Sequence, residues 1–209
     1  MYADLTLSQF LDALASKEPV PGGGSGAALA GALAAALVSM VCNLTIGKKG
    51  YEAVEREMQA ILAESEAIRK ELPQLLEADT QAYSRVMEAY RMPRASDEEK
   101  QAREAAMQER LKEAAEVPFK IAERCARVVA LALPAARMGN KWAVSDAGVG
   151  ALLGEASLHS ALLNVEINLA SIKDTAYVQT MRGRMSALVE EAVRVKAEVM
   201  EVVHKTINA

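Results

Sequence analysis

Aromatic residues, histidine and cysteine are all scarce in this chain of 209 residues. Phe, Trp and Tyr together make up 4% of it, and it holds two histidines and two cysteines. Cys42 and Cys125 lie far apart in apolar stretches, and neither belongs to a cluster with the spacing of metal ligands. We therefore expect no metal site, and this use of cysteine favours a reduced, cytoplasmic compartment.

An excess of positive charge is also missing. The formal net charge is −4 at pH 7, which argues against a nucleic acid or an anionic membrane as partner. The first residues contain no basic region followed by an apolar core, so we expect no secretory signal.

Strand patterns are missing as well. Hydrophobic residues make up 51% of the chain; they recur at helical spacing and nowhere alternate convincingly as they do in a strand. Because aromatics are few and alanines many, we expect closely packed helices with small residues at their contacts. The prediction is an all-α fold, a multihelical bundle without a sheet, in a single domain spanning residues 1–209.

A run without charge predicts the central helix of this bundle. The run from Gly26 to Gly47 is long enough to span a bilayer, but Ala, Gly, Ser, Asn and Thr make up most of it. Small residues recur in it every four positions, at Ala27, Gly31, Ala35 and Ser39. We therefore expect a buried Ala/Gly-rich helix from Ser25 to about Ile46 rather than a membrane span.

Capping residues and helix breakers divide the rest of the chain. Thr6 with Gln9, and Ser96 with Glu99, have the spacing of capping boxes at helix starts. The other predicted boundaries are a kink or break at Pro73, punctuation at Pro118 and Pro134, a stop at Gly139-Asn140, a cap at Ser145, and a last helix from Asp174 or Thr175.

The densest motif is the glycine loop, residues 19–25, with the sequence Pro-Val-Pro-Gly-Gly-Gly-Ser. Its three glycines leave the backbone open to close approach by a ligand, and its two prolines stiffen the entry. Ser25 can cap the following helix, whose unpaired N–H groups can bind an anion or a polarised carbonyl. The competing interpretation is a flexible elbow before a buried helix.

Few other polar residues lie within apolar stretches. Asp79 shares a helix face with Tyr83, and a carboxylate in an apolar cleft suits acid–base chemistry; a solvated surface position is the alternative. Asn164 and Asn168 form a polar stripe, for which helix–helix hydrogen bonding and ligand recognition both stay open. Asp146 fits the first turn of a helix for ordinary electrostatic reasons.

A series of short blocks adds a family signal. In order they are Pro21 to Ser25 with Ala27-Ala28, Met40-Val41 with Thr45 to Lys49, Ala78-Asp79 with Ala82-Tyr83, Met87 to Ala89 before Met92-Pro93, Val117-Pro118, Gly139-Asn140, Ser145-Asp146, and Asn164 to Asn168. Over roughly residues 5 to 175 the chain resembles the cyclodeaminase/cyclohydrolase family of folate one-carbon enzymes. The resemblance implies an all-helical homodimer that binds 5-formimino- or 5,10-methenyl-tetrahydrofolate near the glycine loop, with no metal or further cofactor.

The resemblance also implies roles for particular residues. Asp79 falls on the family's acidic position as the catalytic carboxylate, with Glu77 as the fallback. Asp146 and the two asparagines are implied to face the pterin edge, and Lys48 and Lys49 the anionic glutamate or polyglutamate tail. The complete set of predicted substrate-binding residues is Pro21, Gly22, Gly23, Gly24, Ser25, Lys48, Lys49, Asn140, Ser145, Asp146, Asn164 and Asn168.

Which reaction dominates stays open at this point. Cyclodeamination converts 5-formimino-tetrahydrofolate to the 5,10-methenyl form and ammonia, and cyclohydrolysis converts the 5,10-methenyl form to 10-formyl-tetrahydrofolate. The chain contains no separate formiminotransferase domain, which slightly favours the cyclohydrolase. The alternatives from other classes are a non-catalytic helical dimer that binds folate or another small ligand, and a helical scaffold protein.

Overall fold

Six α-helices and three short 3₁₀ turns make up the fold, which contains no strand. The computed structural model describes all 209 residues. In chain order the helices are α1 (Leu7–Leu14), α2 (Gly23–Asn43), α3 (Glu55–Tyr90), α4 (Asp97–Met138), α5 (Val144–Leu169) and α6 (Thr175–Ile207). The 3₁₀ turns are Tyr2–Asp4, Glu52–Val54 and Lys141–Ala143. The prediction of an all-α fold without a sheet is confirmed.

Helix α2 lies at the centre and packs against α3, α4 and α5. Its Ala28 and Ala34 are completely buried. Glycines allow the closest contacts between α2 and its neighbours. A Cβ on Gly31 would lie 2.6 Å from Cys125 Sγ on α4. On α5, a Cβ on Gly150 would lie 3.2 Å from the carbonyl oxygen of Ala34. The predicted Ala/Gly-rich central helix is therefore present, but it begins two residues earlier than predicted, at Gly23, and ends about three residues earlier, at Asn43.

By length and composition alone, α2 is the one helix that could cross a membrane. Within the bundle, however, 61% of its most apolar stretch is buried. A helix that is apolar on all sides belongs in such a core. The core itself is one continuous cluster of 45 buried residues, to which all six helices contribute.

The internal prolines do not end their helices. Helix α3 continues past Pro73, and α4 continues past both Pro118 and Pro134. Each proline removes one helical hydrogen bond, but buried side chains flank these positions; Leu72 and Leu76, for example, lie in the core on either side of Pro73. Tertiary packing therefore keeps the helices continuous where the sequence alone left a kink or a boundary open.

Three of the predicted helix starts are confirmed. The capping boxes of Thr6 with Gln9 and Ser96 with Glu99 are both formed, and the Asp174 side chain caps α6. The predicted cap at Ser25 is wrong, because Gly22 is the N-cap and Ser25 lies in the first turn of α2.

The predicted cap at Ser145 is wrong for a different reason. Asn140 caps the 3₁₀ turn Lys141–Ala143, accepting a hydrogen bond from the Trp142 N–H. This turn runs directly into α5, so Ala143 is the N-cap and Ser145 falls in the first helical turn.

Both cysteines are free and completely buried. Burial raises the pKa of the Cys42 thiol to about 11 and that of the Cys125 thiol to about 12. The thiols are therefore packing groups rather than nucleophiles.

Candidate active site

A cavity of about 380 Å³ opens where the first turn of α2 meets the middle of α3, α4 and the last turns of α5. This is the size of a small-molecule site. The residues that line it are Pro19, Val20, Gly22, Gly23, Gly24, Asp79, Ala82, Tyr83, Val86, Met87, Tyr90, Leu111, Ala114, Asn164, Ile167, Asn168 and Ser171. The glycine loop therefore forms a wall of this cavity.

Asp79 is the carboxylate of the cavity. It projects from α3 onto the first turn of α2, where the Ser25 hydroxyl donates a hydrogen bond of 3.4 Å to Asp79 Oδ2. Burial raises the pKa of Asp79, while hydrogen bonds from the hydroxyl and the backbone N–H of Ser25 oppose this effect. A carboxyl group with raised proton affinity is suited both to accept a proton and to return it.

The glycines allow this contact. A Cβ on Gly24 would lie 2.5 Å from Asp79 Oδ1, and one on Gly23 would lie 3.3 Å from Asn164 Nδ2. No side chain caps α2, and the N–H groups of Gly23 and Gly24 make no hydrogen bond within the protein. Two free donors and the positive end of the helix dipole therefore face the cavity beside Asp79.

Asn164 and Asn168 on α5 also line the cavity, with Asn164 next to Gly23. Their Nδ2 atoms are already engaged: that of Asn164 donates to the Ser160 carbonyl, and that of Asn168 to the carbonyls of Ala114 and Asn164. Each Oδ1 atom accepts no hydrogen bond from the protein and is free to accept one from a ligand. The bond from Asn168 to Ala114 is the helix–helix hydrogen bond that the sequence left open, and ligand recognition by the two Oδ1 atoms stays a prediction.

One face of α3 supplies most of the apolar wall. Beyond Asp79, this face carries Ala82, Tyr83, Val86, Met87 and Tyr90. The shared face of Asp79 and Tyr83 was predicted, and its continuation to Tyr90 follows from the same helical spacing. By contrast, no pattern in the sequence pointed to the contributions of α4 and of Ser171, which depend on how the helices pack.

The structure places five predicted binding residues elsewhere: Lys48, Lys49, Asn140, Ser145 and Asp146. All of them lie beyond the far end of α2 or at the start of α5, and α2 is about 30 Å long. Within one chain they cannot reach a small ligand beside Gly24. Asn140 has a structural role there, since its Nδ2 donates to the Leu44 carbonyl and its backbone N–H donates to Thr45 Oγ1.

Glu77 and two members of the glycine loop also lie outside the cavity. Glu77 is buried on another side of α3 and accepts a hydrogen bond from the Ala3 N–H at 2.9 Å, so the geometry does not support the fallback role. Pro21 and Ser25 are buried behind the cavity wall, where Ser25 acts on Asp79 rather than lining the cavity directly. No group of three or more His, Cys, Asp or Glu side chains is placed to hold a metal ion.

The site therefore combines a protonatable carboxyl group, two free backbone donors, two amide acceptors and an apolar wall. This set suits acid–base chemistry on a flat, partly apolar ligand that carries N–H donors. Comparison with known proteins identifies relatives with this fold.

Residues 6–187 match the model of the formiminotransferase-cyclodeaminase family. The chain is 43% identical over 208 residues to methenyltetrahydrofolate cyclohydrolase from Methylorubrum extorquens, covering 100% of both chains. It is 33% identical over 189 residues to formimidoyltransferase-cyclodeaminase from Rattus norvegicus, of which the match covers 35%. The crystal structure of formiminotetrahydrofolate cyclodeaminase from Thermotoga maritima superposes with a TM-score of 0.90 at 32% identity, covering 99% of this chain and 100% of that one. The family match, the sequence identities and the shared helical fold show that this chain belongs to the formiminotransferase-cyclodeaminase family.

Proposed function

We propose that this protein is a folate one-carbon enzyme that hydrolyses 5,10-methenyl-tetrahydrofolate to 10-formyl-tetrahydrofolate in the cavity beside the glycine loop. The observation that carries the proposal is the Asp79 carboxyl group, held against the first turn of α2 with its pKa raised by burial. The 43% identity to a methenyltetrahydrofolate cyclohydrolase over its full length favours this reaction.

The chemistry assigns one role to Asp79 in each half of the reaction. The methenyl bridge between N5 and N10 is cationic, and a bound cation favours the carboxylate form of a neighbouring acid. The carboxylate accepts a proton from the water that attacks the bridge carbon. As the bond from that carbon to N5 breaks, the carboxyl group returns the proton to N5, and the formyl group stays on N10 with net release of one proton.

The other polar groups of the cavity orient the substrate. The pterin ring carries N–H donors, which match the free Oδ1 atoms of Asn164 and Asn168. We assign to the free N–H groups of Gly23 and Gly24 the stabilisation of the attacking oxygen as the adduct loses its hydroxyl proton. Tyr83, with 39% of its surface exposed, offers an aromatic face at the cavity wall.

Cyclodeamination of 5-formimino-tetrahydrofolate is the second candidate reaction, because the superposing Thermotoga maritima protein is a cyclodeaminase. In that reaction N10 attacks the formimino carbon and ammonia leaves from it. Asp79 then acts as the acid that protonates the departing nitrogen. The same carboxyl group, with the same raised pKa, serves both reactions.

We propose further that the protein forms a homodimer through an apolar face of α2 and α5, as the family resemblance implies. On the outer side of these two helices Leu33 is 53% exposed, and Leu163 and Ile167 are each 72% exposed. An exposed apolar patch of this kind marks an interaction site. Ile167 belongs to the face and to the cavity wall, so a second copy on this face would cover one side of the active site.

The proposal includes no metal and no cofactor beyond the tetrahydrofolate substrate, since side chains and water supply every proton transfer. We also propose that the enzyme acts in the cytoplasm, where free thiols such as those of Cys42 and Cys125 stay reduced.

The deciding experiment follows the loss of the methenyl-tetrahydrofolate chromophore with purified protein, Asp79→Asn protein and no protein. Acceleration by the wild type alone supports the cyclohydrolase with Asp79 as its acid–base group. If only ammonia release from 5-formimino-tetrahydrofolate is accelerated, the cyclodeaminase replaces it. Folate binding measured by calorimetry without either reaction would instead establish the non-catalytic binding protein.

A further inference from the structure

The N-terminal segment, residues 1–5, packs against α3 on a different side from the cavity. Its anchor is Glu77, which is 8% exposed and forms no ion pair. The Ala3 N–H donates to Glu77 Oε1 at 2.9 Å. Glu77 precedes Asp79 by two residues, about 200° around the helix, so the two carboxyl groups point in nearly opposite directions.

The same segment reaches around to the wall of the cavity. The Tyr2 hydroxyl donates a hydrogen bond of 3.2 Å to the Val20 carbonyl. Val20 lines the cavity together with Pro19. A single short segment therefore contacts both α3 and the entry to the glycine loop.

The hydrogen bond from Tyr2 to Val20 is the main polar contact that fixes residues 17–21. Pro19 and Pro21 have no N–H to donate, and the hydrogen bond from the Glu18 N–H to Ser16 Oγ stays within the loop. The bond from Tyr2 is the only hydrogen bond that joins these residues to a distant part of the chain. The position of the cavity wall at Pro19 and Val20 relative to Asp79 thus depends on the hydrogen bond from Tyr2.

We propose that Tyr2 and Glu77 are positioning residues for the active site. Glu77 holds the N-terminal segment on α3, and Tyr2, which belongs to that segment, holds the cavity wall at Val20. Residues 1–5 with these two contacts are called the latch below. Neither residue touches the ligand. The inference rests on the proposed function, which places substrate in this cavity. A buried polar side chain needs a hydrogen-bond partner, and the partner of the Glu77 side chain is the N–H of Ala3, next to Tyr2.

The test compares Tyr2→Phe with the wild type, using protein without an N-terminal tag. Loss of one neutral hydrogen bond should raise the KM for methenyl-tetrahydrofolate by about 2- to 12-fold. We expect kcat to change by less than about twofold, because Asp79 and its Ser25 contact are untouched. Glu77→Leu should reproduce the increase in KM, whereas Glu77→Gln, which keeps an acceptor for the Ala3 N–H, should stay near the wild type.

The double variant Tyr2→Phe/Glu77→Leu separates positioning from simple stabilisation. If both residues act through one latch, its KM should exceed that of the stronger single variant by less than about twofold. Tyr51→Phe is the matched control, since that hydroxyl accepts from the Lys141 N–H at the far end of the bundle. Wild-type KM values in both Tyr2→Phe and Glu77→Leu would overturn the proposal, whatever happens to their melting temperatures.

A second measurement does not depend on turnover. Lys17 is exposed beside the loop, so trypsin cleavage after Lys17 under native conditions reports how often the wall opens. Tyr2→Phe should speed this cleavage by about 2- to 12-fold, and unchanged cleavage would contradict the latch. An inactive wild type with faster cleavage in the variant would reject the proposed function while keeping the latch.

Discussion

Gly24 and Asp79 lie so close together that any side chain at position 24 would displace the Asp79 carboxyl group. A Cβ at this position would lie 2.5 Å from Asp79 Oδ1 and 2.7 Å from its carboxyl carbon. Since a methyl group cannot stay there without moving the carboxyl group, this glycine fixes where the proposed acid–base group stands. The glycine loop thus contacts the proposed acid–base group directly.

Gly24→Ala should therefore destroy activity through the position of Asp79. Displacement of a catalytic group by about 1 Å costs on the order of 100-fold in rate, and we expect at least that loss in kcat/KM. Gly183→Ala on α6 is the matched control, because nothing lies within 4 Å of the added Cβ. Steady-state kinetics on both variants checks the prediction; an active Gly24→Ala enzyme would contradict the role of Asp79.

Asp79→Asn should remove activity and make the folded protein more stable at neutral pH. Burial raises the pKa of Asp79 above the ordinary value of 3.8, so the folded state binds this proton more tightly than the unfolded state. Stability from this group is then fully present at low pH and falls as the pH rises through the folded-state pKa. Asp79→Asn has no carboxyl group at this position, so it lacks this decrease in stability as the pH rises. Catalytic groups often reduce the stability of the folded protein, and replacing them can restore it.

Thermal unfolding between about pH 4 and pH 8 measures this difference. The melting temperature of Asp79→Asn should exceed that of the wild type at the upper end, and the gap should shrink as the pH falls. Asp12→Asn makes the same chemical change at an exposed position of α1 and serves as control. A gap that does not depend on pH would show that the carboxyl group titrates alike in the folded and unfolded states.

Ser25→Ala should shift the pH dependence of the reaction. The Ser25 hydroxyl bond lowers the pKa of Asp79, against the larger effect of burial. Without the hydroxyl this pKa rises further, so the acid limb of the kcat/KM profile should move to higher pH. Ser157→Ala is the control, because its buried hydroxyl has no hydrogen-bond partner and does not line the cavity. An unmoved limb would mean that another group controls the rate.

Leu33→Glu should separate the proposed dimer. A charge buried in the proposed apolar interface costs about 2 kcal/mol or more, which weakens the dimer by about 30-fold or more. Light scattering after gel filtration should find the wild type as a dimer and the variant as a monomer with reduced activity. Ile207→Glu, at a 59% exposed position near the end of α6, should leave both unchanged. A fully active monomer would exclude the second copy from the site.

Local patterns in the sequence were sufficient for much of the fold. Both capping boxes depend on residues three positions apart, and both form as predicted. The shared face of Asp79 and Tyr83 needed only the helical repeat. The length of α4 was not predicted, because burial of residues far away in sequence decides whether a helix continues through Pro118 and Pro134.

The predicted site residues likewise include some that lie together and some that packing keeps apart. Gly24, Asp79 and Asn164 meet at one end of the bundle, where α2 begins and α5 ends. Lys48 and Asp146 belong to blocks of the same family resemblance, but they lie at the other end of these helices. Family blocks identify residues without saying which of them are neighbours, and a rigid helix about 30 Å long can separate two blocks completely.

The two buried thiols make the unfolding of this protein measurable without any engineered cysteine. With pKa values of about 11 for Cys42 and about 12 for Cys125, about a thousandth or less of either thiol is ionised at pH 8 in the folded chain. An alkylating reagent therefore reacts essentially when the chain opens. Because the two thiols lie on adjacent helices at the centre of the bundle, the mass gained over time records how often that centre comes apart.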